Sequence, residues 1–388
     1  MKHPIHLEQP RSTYIHVPFC VHRCGYCDFT LVAGKDHLIH NYLEALSREL
    51  ADLRAWGNFA SSQPLSLDTL YFGGGTPTHL SPEELRRLFE IVFEYFSLDE
   101  NAEFTVEANP VDLTEEKIAV LVEAGVNRLS LGVQSFEESA LKLLERDHTR
   151  ETIHDAMNRL RGRLDNVSLD LIFAVPGQSR KDWKATLAEA ADLHATHLST
   201  YCLTFEKGTS FYQRLQQGKL SSADEELQRE MYADVMTFLP QRGYEQYEIS
   251  SFAKPGFRSR HNQVYWSGRG YFGFGPGAAR YLAGVRETNH RSVTTWLKKV
   301  AAGESGAQER EQLSDEDRAR ERLILGLRTL DGVNLTTFAD ETGFLMEELC
   351  GSEIEKLIAA GHLERDARRL RLTHDGRFFA DSVTLELL

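Results

Sequence analysis

The sequence predicts an α/β fold: a partial, open (β/α)6 barrel followed by a small winged-helix-like α+β domain. Three observations carry this expectation. Six short apolar segments alternate with helical segments, the alternation stops near residue 205, and the tail from about residue 304 reads helix, helix, helix, hairpin. Strands alternating with helices imply a parallel sheet, and six units fall short of the eight that close a full barrel.

The six strand segments are Thr13–Pro18, Thr69–Phe72, Glu103–Glu107, Arg128–Gly132, Val167–Phe173 and His197–Leu203. Each is short and rich in β-branched, aromatic or aliphatic residues, as buried parallel strands are. Ser81-Pro82-Glu83-Glu84 starts a helix, with an N-cap serine, proline at N1 and acids at the positive end of the dipole. Thr114 before Glu115 and Glu116 starts another, Gly125 stops it, and Asp182–Leu193 forms a third. Beyond residue 205, Glu225–Leu239 reads as a helix, Gln246–Ile249 as a further strand and Glu304–Asp317 as a charged linker. The tail gives helices over Arg318–Leu330, Leu335–Thr342 and Glu353–Ala360, then a hairpin over His362–Leu372. The expected units are residues 1–205 (barrel), 206–303 (barrel extension) and 304–388 (C-terminal domain).

At 41% hydrophobic and 26% charged residues, the 388-residue chain can bury a large core. Its net charge of −14 argues against nucleic acid as the main partner, because a polyanion calls for a basic face. Met1–Arg11 has no apolar core of a signal peptide, and no stretch approaches the ~18 apolar residues of a spanning helix. The expected location is the cytoplasm, with membrane contact only through a partner.

Five cysteines in such a chain do not read as a disulfide framework. Three of them, Cys20, Cys24 and Cys27, form C-x3-C-x2-C on the loop after the first strand, while Cys202 and Cys350 stand alone. Short spacings let one loop supply three thiolates to an iron–sulfur cube, leaving one iron open to a chelating molecule. The same thiols with His16 or His22 would also make a zinc set. Gly73-Gly74-Gly75-Thr76-Pro77 follows the second strand and lets the backbone approach a ligand closely. Glu107, Gln134 and Asp170 lie in or just after the next three strands, and an acid inside an apolar strand such as Leu169–Phe173 needs a partner.

These motifs together resemble the radical S-adenosylmethionine (SAM) superfamily. The resemblance implies a [4Fe–4S] cluster on Cys20, Cys24 and Cys27, with SAM chelating the open iron and cleaved by electron transfer to a 5′-deoxyadenosyl radical. Within it the chain is similar to the oxygen-independent coproporphyrinogen III oxidase family, and its barrel is accordingly expected to be a radical SAM barrel. That family's SAM contacts carry over onto Tyr14, Tyr26, Gly74, Gly75, Thr76, Glu107, Gln134, Arg146, Asp170, Cys202 and Ala279. Tyr26 would lie near the adenine and Arg146 would face the SAM carboxylate with its guanidinium fork. Cys202 stands where the family has a small residue and is not read as a cluster ligand.

Two departures separate this chain from the porphyrinogen-oxidising members. Their fourth cysteine, in C-x3-C-x2-C-x-C, is Phe29 here, and only 13 residues precede Tyr14 where they carry an N-terminal extension. Both point to the family's heme-chaperone branch, as does Arg260-His261-Asn262-Gln263-Val264-Tyr265-Trp266, which resembles the HNxxYW motif of that branch. The resemblance makes His261, read as a loop residue, the heme ligand, with Tyr265 and Trp266 against the porphyrin. The expected partners are heme, an apo-hemoprotein acceptor of the respiratory kind, and a second copy of the chain in a homodimer. The competing expectation is a coproporphyrinogen III dehydrogenase; a tRNA-modifying enzyme is disfavoured by the charge. The Arg368–Leu372 run reads as a solvated wing.

Overall fold

The computed structural model describes residues 9–52 and 63–388. Its strands are β1 (Ser12–Val17), β2 (Leu65–Gly74), β3 (Phe96–Ala108), β4 (Arg128–Gln134), β5 (Val167–Phe173), β6 (His197–Cys202), β7 (Glu245–Gln246), β8 (Ser251–Ala253) and β9 (Phe272–Phe274). They form one nine-stranded sheet in the order β9-β1-β2-β3-β4-β5-β6-β8-β7. The six expected strands lie side by side in parallel, in chain order. β9 extends the sheet in parallel beyond β1, and β8 and β7 pair antiparallel beyond β6. The barrel is therefore open, with edges built from Phe272–Phe274 on one side and Glu245–Gln246 on the other.

Burial on both faces explains why these strands were legible as apolar runs. In β5 every residue is buried except Asp170, which is partly exposed. Helices α1 (Ile39–Asp52), α2 (Pro82–Phe93), α3 (Glu115–Glu123), α4 (Glu138–Leu143), α5 (Arg150–Leu160) and α6 (Arg180–Asp192) separate the barrel strands in sequence. Ser81 caps α2 with a reciprocal Glu84 contact, Thr114 caps α3, and Gly125 takes a φ of 88° just past the end of α3. Leu85, Leu88 and Val92 of α2, Ile118 and Leu121 of α3 and Trp183 and Leu187 of α6 join the strand residues in the main core.

After the barrel come α7 (Ser210–Gln216), α8 (Glu225–Gln241), α9 (Arg260–Trp266), β10 (Ala279–Leu282), β11 (Val285–Asn289), α10 (Val293–Ala301) and β12 (Ala307–Gln312). The segment expected as a charged linker is thus corrected in part: Ala307–Gln312 is a strand, at the edge of an antiparallel sheet β10-β11-β12. Its Gln-Glu-Arg-Glu-Gln run is exposed, and charge on an edge strand discourages pairing with another chain. Gln246–Ile249 is likewise corrected, to the separate short strands β7 and β8.

The C-terminal domain comprises α11 (Asp315–Leu327), β13 (Val333–Asn334), α12 (Leu335–Thr342), α13 (Met346–Ala359), β14 (Leu363–Arg365), β15 (Arg369–Leu372) and α14 (Ala380–Leu387). Helices α11, α12 and α13, the β14–β15 wing and β13 give the winged-helix arrangement around their own core of Leu323, Phe338, Ile354 and Leu370. The domain docks on the barrel extension: Leu330 N–H donates to Tyr247 O, and Arg328 lies over the Trp266 ring at 4.9 Å.

Candidate cluster and cofactor site

The cysteine loop leaves β1 at the C-terminal end of the sheet. Phe19–Cys20 pairs with Val32–Ala33, closing the loop that carries Cys24 and Cys27. Arg23 laces it internally, donating to Phe29 O at 3.3 Å and Leu31 O at 2.7 Å. All three thiols are free, and burial pushes Cys20 up to about 12 and raises Cys27. Cys20 Sγ lies 3.3 Å from Thr76 Oγ1, and Cys24 Sγ accepts from Arg146 Nη1 at 3.6 Å.

These donors fit a cluster better than zinc. His16 is already engaged by Tyr14 OH at 3.0 Å and Thr30 O at 2.6 Å, and His22 by Glu145 at 3.1 Å. Among the described residues no three His, Cys, Asp or Glu side chains gather around one point as a single ion requires. A cube binds each thiolate on a different iron, so its ligands need not converge. Phe29, at the place of the family's fourth cysteine, is 57% exposed.

The other expected residues collect at the barrel mouth. Tyr14, Tyr26, Gly75, Thr76, Glu107, Gln134, Arg146, Asp170, Cys202 and Ala279 are all partly exposed, amid strands that are otherwise buried; Gly74 is buried. Gly74 holds a φ of 115°, where a Cβ would come within 2.4 Å of the His16 ring. Its N–H donates to Glu107 Oε2 at 2.9 Å, and Tyr71 OH donates to Oε1 at 2.8 Å. Burial raises Glu107 to about 7, against the pull of those two donors. Asp170 finds its partners in Ser130 at 2.9 Å and Ser168 at 3.4 Å, while burial still raises it.

Gln134 closes β4 at a φ of 65°, where the pairing with β5 shifts register. Such a backbone is uncommon for a residue with a side chain and marks a site held by its surroundings. Arg146 donates to Asn109 Oδ1 at 2.6 Å, and its buried Nε has no hydrogen-bond partner. An orphaned guanidinium nitrogen beside the cysteine loop suits a ligand carboxylate. Tyr26 packs edge-on against Phe211 of α7. Cys202 and Ala279 lie on the flanks: Cys202 turns to Gln228 at 3.4 Å, and Ala279 opens β10 beside Gly273.

The expectation that His261 is a loop residue is corrected. It is the second residue of α9, capped by Ser259, and is 1% exposed. Glu103 accepts from its backbone N–H at 2.9 Å. Its Nδ1 shares a hydrogen bond with Thr69 at 2.8 Å and its Nε2 with Tyr265 OH at 2.8 Å, so neither ring nitrogen is open to an iron in this arrangement. Burial lowers the ring to about 3, keeping it neutral. Sequence reasoning missed Tyr71, Thr69 and Asn109. Strand alternation could have found the first two, since Thr69, Tyr71 and Gly73 share one face of β2.

The open parallel barrel and the three-thiol loop at its mouth define a radical SAM protein. Residues 14–190 match the Radical SAM superfamily model, and residues 313–379 match the HemN C-terminal domain. The fold is similar to that of coproporphyrinogen III oxidase (HemN) from Escherichia coli, with a TM-score of 0.84 and 22% identity over 98% of this chain and 90% of that one. The chain is 38% identical to heme chaperone HemW of Bacillus subtilis (strain 168), covering 96% of this chain and 98% of the relative. It is 39% identical to heme chaperone HemW of Lactococcus lactis subsp. lactis (strain IL1403), covering 97% of each. The chain belongs to the HemW family.

Proposed function

We propose that this protein is a heme chaperone, which binds heme and passes it to apo-hemoproteins, and that it carries a [4Fe–4S] cluster and SAM in its barrel. The observation that carries this reading is the near full-length similarity to two proteins named heme chaperones. The exposed Phe29 at the fourth-cysteine position supports it over porphyrinogen oxidation.

Cys20, Cys24 and Cys27 would hold the cluster. Gly74, Gly75, Thr76 and Glu107 would take the polar groups of SAM, Arg146 its carboxylate and Tyr26 the adenine side, with Tyr14, Gln134, Asp170, Cys202 and Ala279 completing the lining. When bound, cluster and SAM would supply one-electron chemistry at the mouth, and the residues named would hold and orient them.

His261 is the heme-iron ligand in this reading, and it serves once its ring leaves Thr69 and Tyr265. The two neutral hydrogen bonds given up are worth about 1 kcal/mol each, and the ring is already in the neutral form that ligates iron. The acceptor is a respiratory hemoprotein; no helix among the described residues is long and apolar enough to cross a membrane.

A Soret titration of the anaerobically reconstituted protein with heme, beside His261→Ala, tests this. Saturable binding, with a spectrum altered in the variant, is the expected result. Absence of stoichiometric binding overturns the chaperone reading; binding indifferent to His261 removes only the ligand.

A further inference from the structure

A cavity of about 1260 Å³ lies between α9 and the C-terminal domain, away from the barrel mouth. Val264 and Trp266 of α9, Arg318 and Arg322 of α11, and Thr69 of β2 are among the residues that line it. Small-molecule sites commonly measure ~300–1,000 Å³, so the space admits a ligand as large as a porphyrin.

The two arginines are built into this lining. They are four residues apart on α11 and so share a face. Their side chains are only 13% and 19% exposed. Each rests on a glycine: a Cβ at Gly284 would come within 2.8 Å of Arg318 Nη1, and one at Gly268 within 3.1 Å of Arg322 Cδ. Among the described residues Arg318 has one acidic partner, Asp315 at 3.2 Å, and Arg322 has one, Glu341 at 3.0 Å. A guanidinium carries five N–H donors, so both retain donors for an anion. Of the other acids on the same lining, Asp68 and Asp331 are tied to Arg11 and Arg258, which leaves Asp340 beside Glu341. Val264 and Trp266 beside a pair of seated cations suit a flat, apolar molecule with carboxylates on one edge.

We propose that this cavity is the seat of the heme, with the macrocycle against Val264 and Trp266 and the propionates on Arg318 and Arg322. The inference rests on the heme-chaperone reading and deepens it by placing the ligand. Thr69 connects the two: it lines the cavity and holds His261 Nδ1 at 2.8 Å, so the imidazole lies one hydrogen bond behind the cavity wall.

The full chain is titrated with heme and with heme dimethyl ester, which lacks the free carboxylates, as wild type and as the Arg318→Gln/Arg322→Gln double variant. Wild type is expected to bind heme at least tenfold more tightly than the ester, and the double variant to lose that preference while keeping its circular dichroism. Trp266 fluorescence should be quenched on binding, a signal absent in Trp266→Phe. Wild type binding heme and ester equally overturns the placement without recourse to any variant. A preference that survives in the double variant overturns it too, and both results leave the chaperone reading standing. No heme binding by wild type overturns that reading and the placement with it.

Discussion

Tyr71 stacks on His261, their ring centroids 4.9 Å apart and their planes 29° from parallel. The same tyrosine donates its hydroxyl to Glu107 at 2.8 Å. A single residue of β2 thus touches both the acid at the barrel mouth and the histidine of the HNxxYW helix, and Thr69, two positions earlier on the same face, holds the other side of that histidine. The candidate cofactor site and His261 are consequently packed back to back through one strand.

Tyr71→Phe keeps the stacking and removes the hydroxyl. SAM affinity should fall about tenfold or more, since a hydrogen bond to a carboxylate is worth about 1.5–3 kcal/mol, while the heme Soret titration stays as in wild type. Tyr71→Leu should disturb both. Isothermal titration with SAM beside the heme titration separates the two; a heme effect of Tyr71→Phe as large as its SAM effect contradicts the division of roles.

Glu107 gives a pH signature. Its carboxyl titrates at about 7 in the fold and near 4.5 when unfolded, so the folded chain binds the extra proton between those values. Its stabilising contribution is full below about 4.5 and is lost as pH rises through 7. Glu107→Gln mimics the neutral form, and Tyr71 OH can reverse to serve the amide. The variant should gain stability relative to wild type as pH goes from 5 to 8, by roughly 1–3 kcal/mol after allowance for solvent at the mouth. Denaturant melts of both proteins across that range check it, and parallel curves refute it.

Cys20→Ala, Cys24→Ala and Cys27→Ala should each abolish the cluster by removing one of three thiolates. Cys350→Ala should not, because Cys350 is buried in the C-terminal core. Iron and sulfide content with EPR after reconstitution is the measurement. An intact cluster in Cys24→Ala would undo the assignment.

What could be read from the sequence was what local chemistry writes there. β5 is buried on both faces, and its limits, Val167–Phe173, were plain. Ser81 and Thr114 announced α2 and α3 through capping groups adjacent in sequence. The cysteine spacing needed no fold at all. β12 was missed because its exposed, charged residues carry no apolar period; only its pairing with β11 makes it a strand. His261 was misplaced because α9 has seven residues, too few for a helical period, and its burial depends on Thr69, Glu103 and Tyr71 from distant strands. The cavity between α9 and α11 was invisible for the same reason: it is made by the docking of two units.

Phe29→Cys restores the C-x3-C-x2-C-x-C spacing of the porphyrinogen-oxidising relatives and asks whether that thiol is what separates the branches. The side chain at this position is 57% exposed, and the loop around it is held by Arg23 bonding to Phe29 O and Leu31 O rather than by the ring itself. The substitution should therefore leave the fold intact and the iron content of the reconstituted protein unchanged, because Cys20, Cys24 and Cys27 already offer three thiols to a cluster. It should not create turnover, since a thiol added to the surface of the loop builds no substrate site. Chromatography of a strictly anaerobic reaction with coproporphyrinogen, using wild type and Phe29→Cys, is expected to show no protoporphyrinogen from either. Product from the variant alone would make the missing cysteine the branch point. Sustained product from wild type would return the protein to the enzymes.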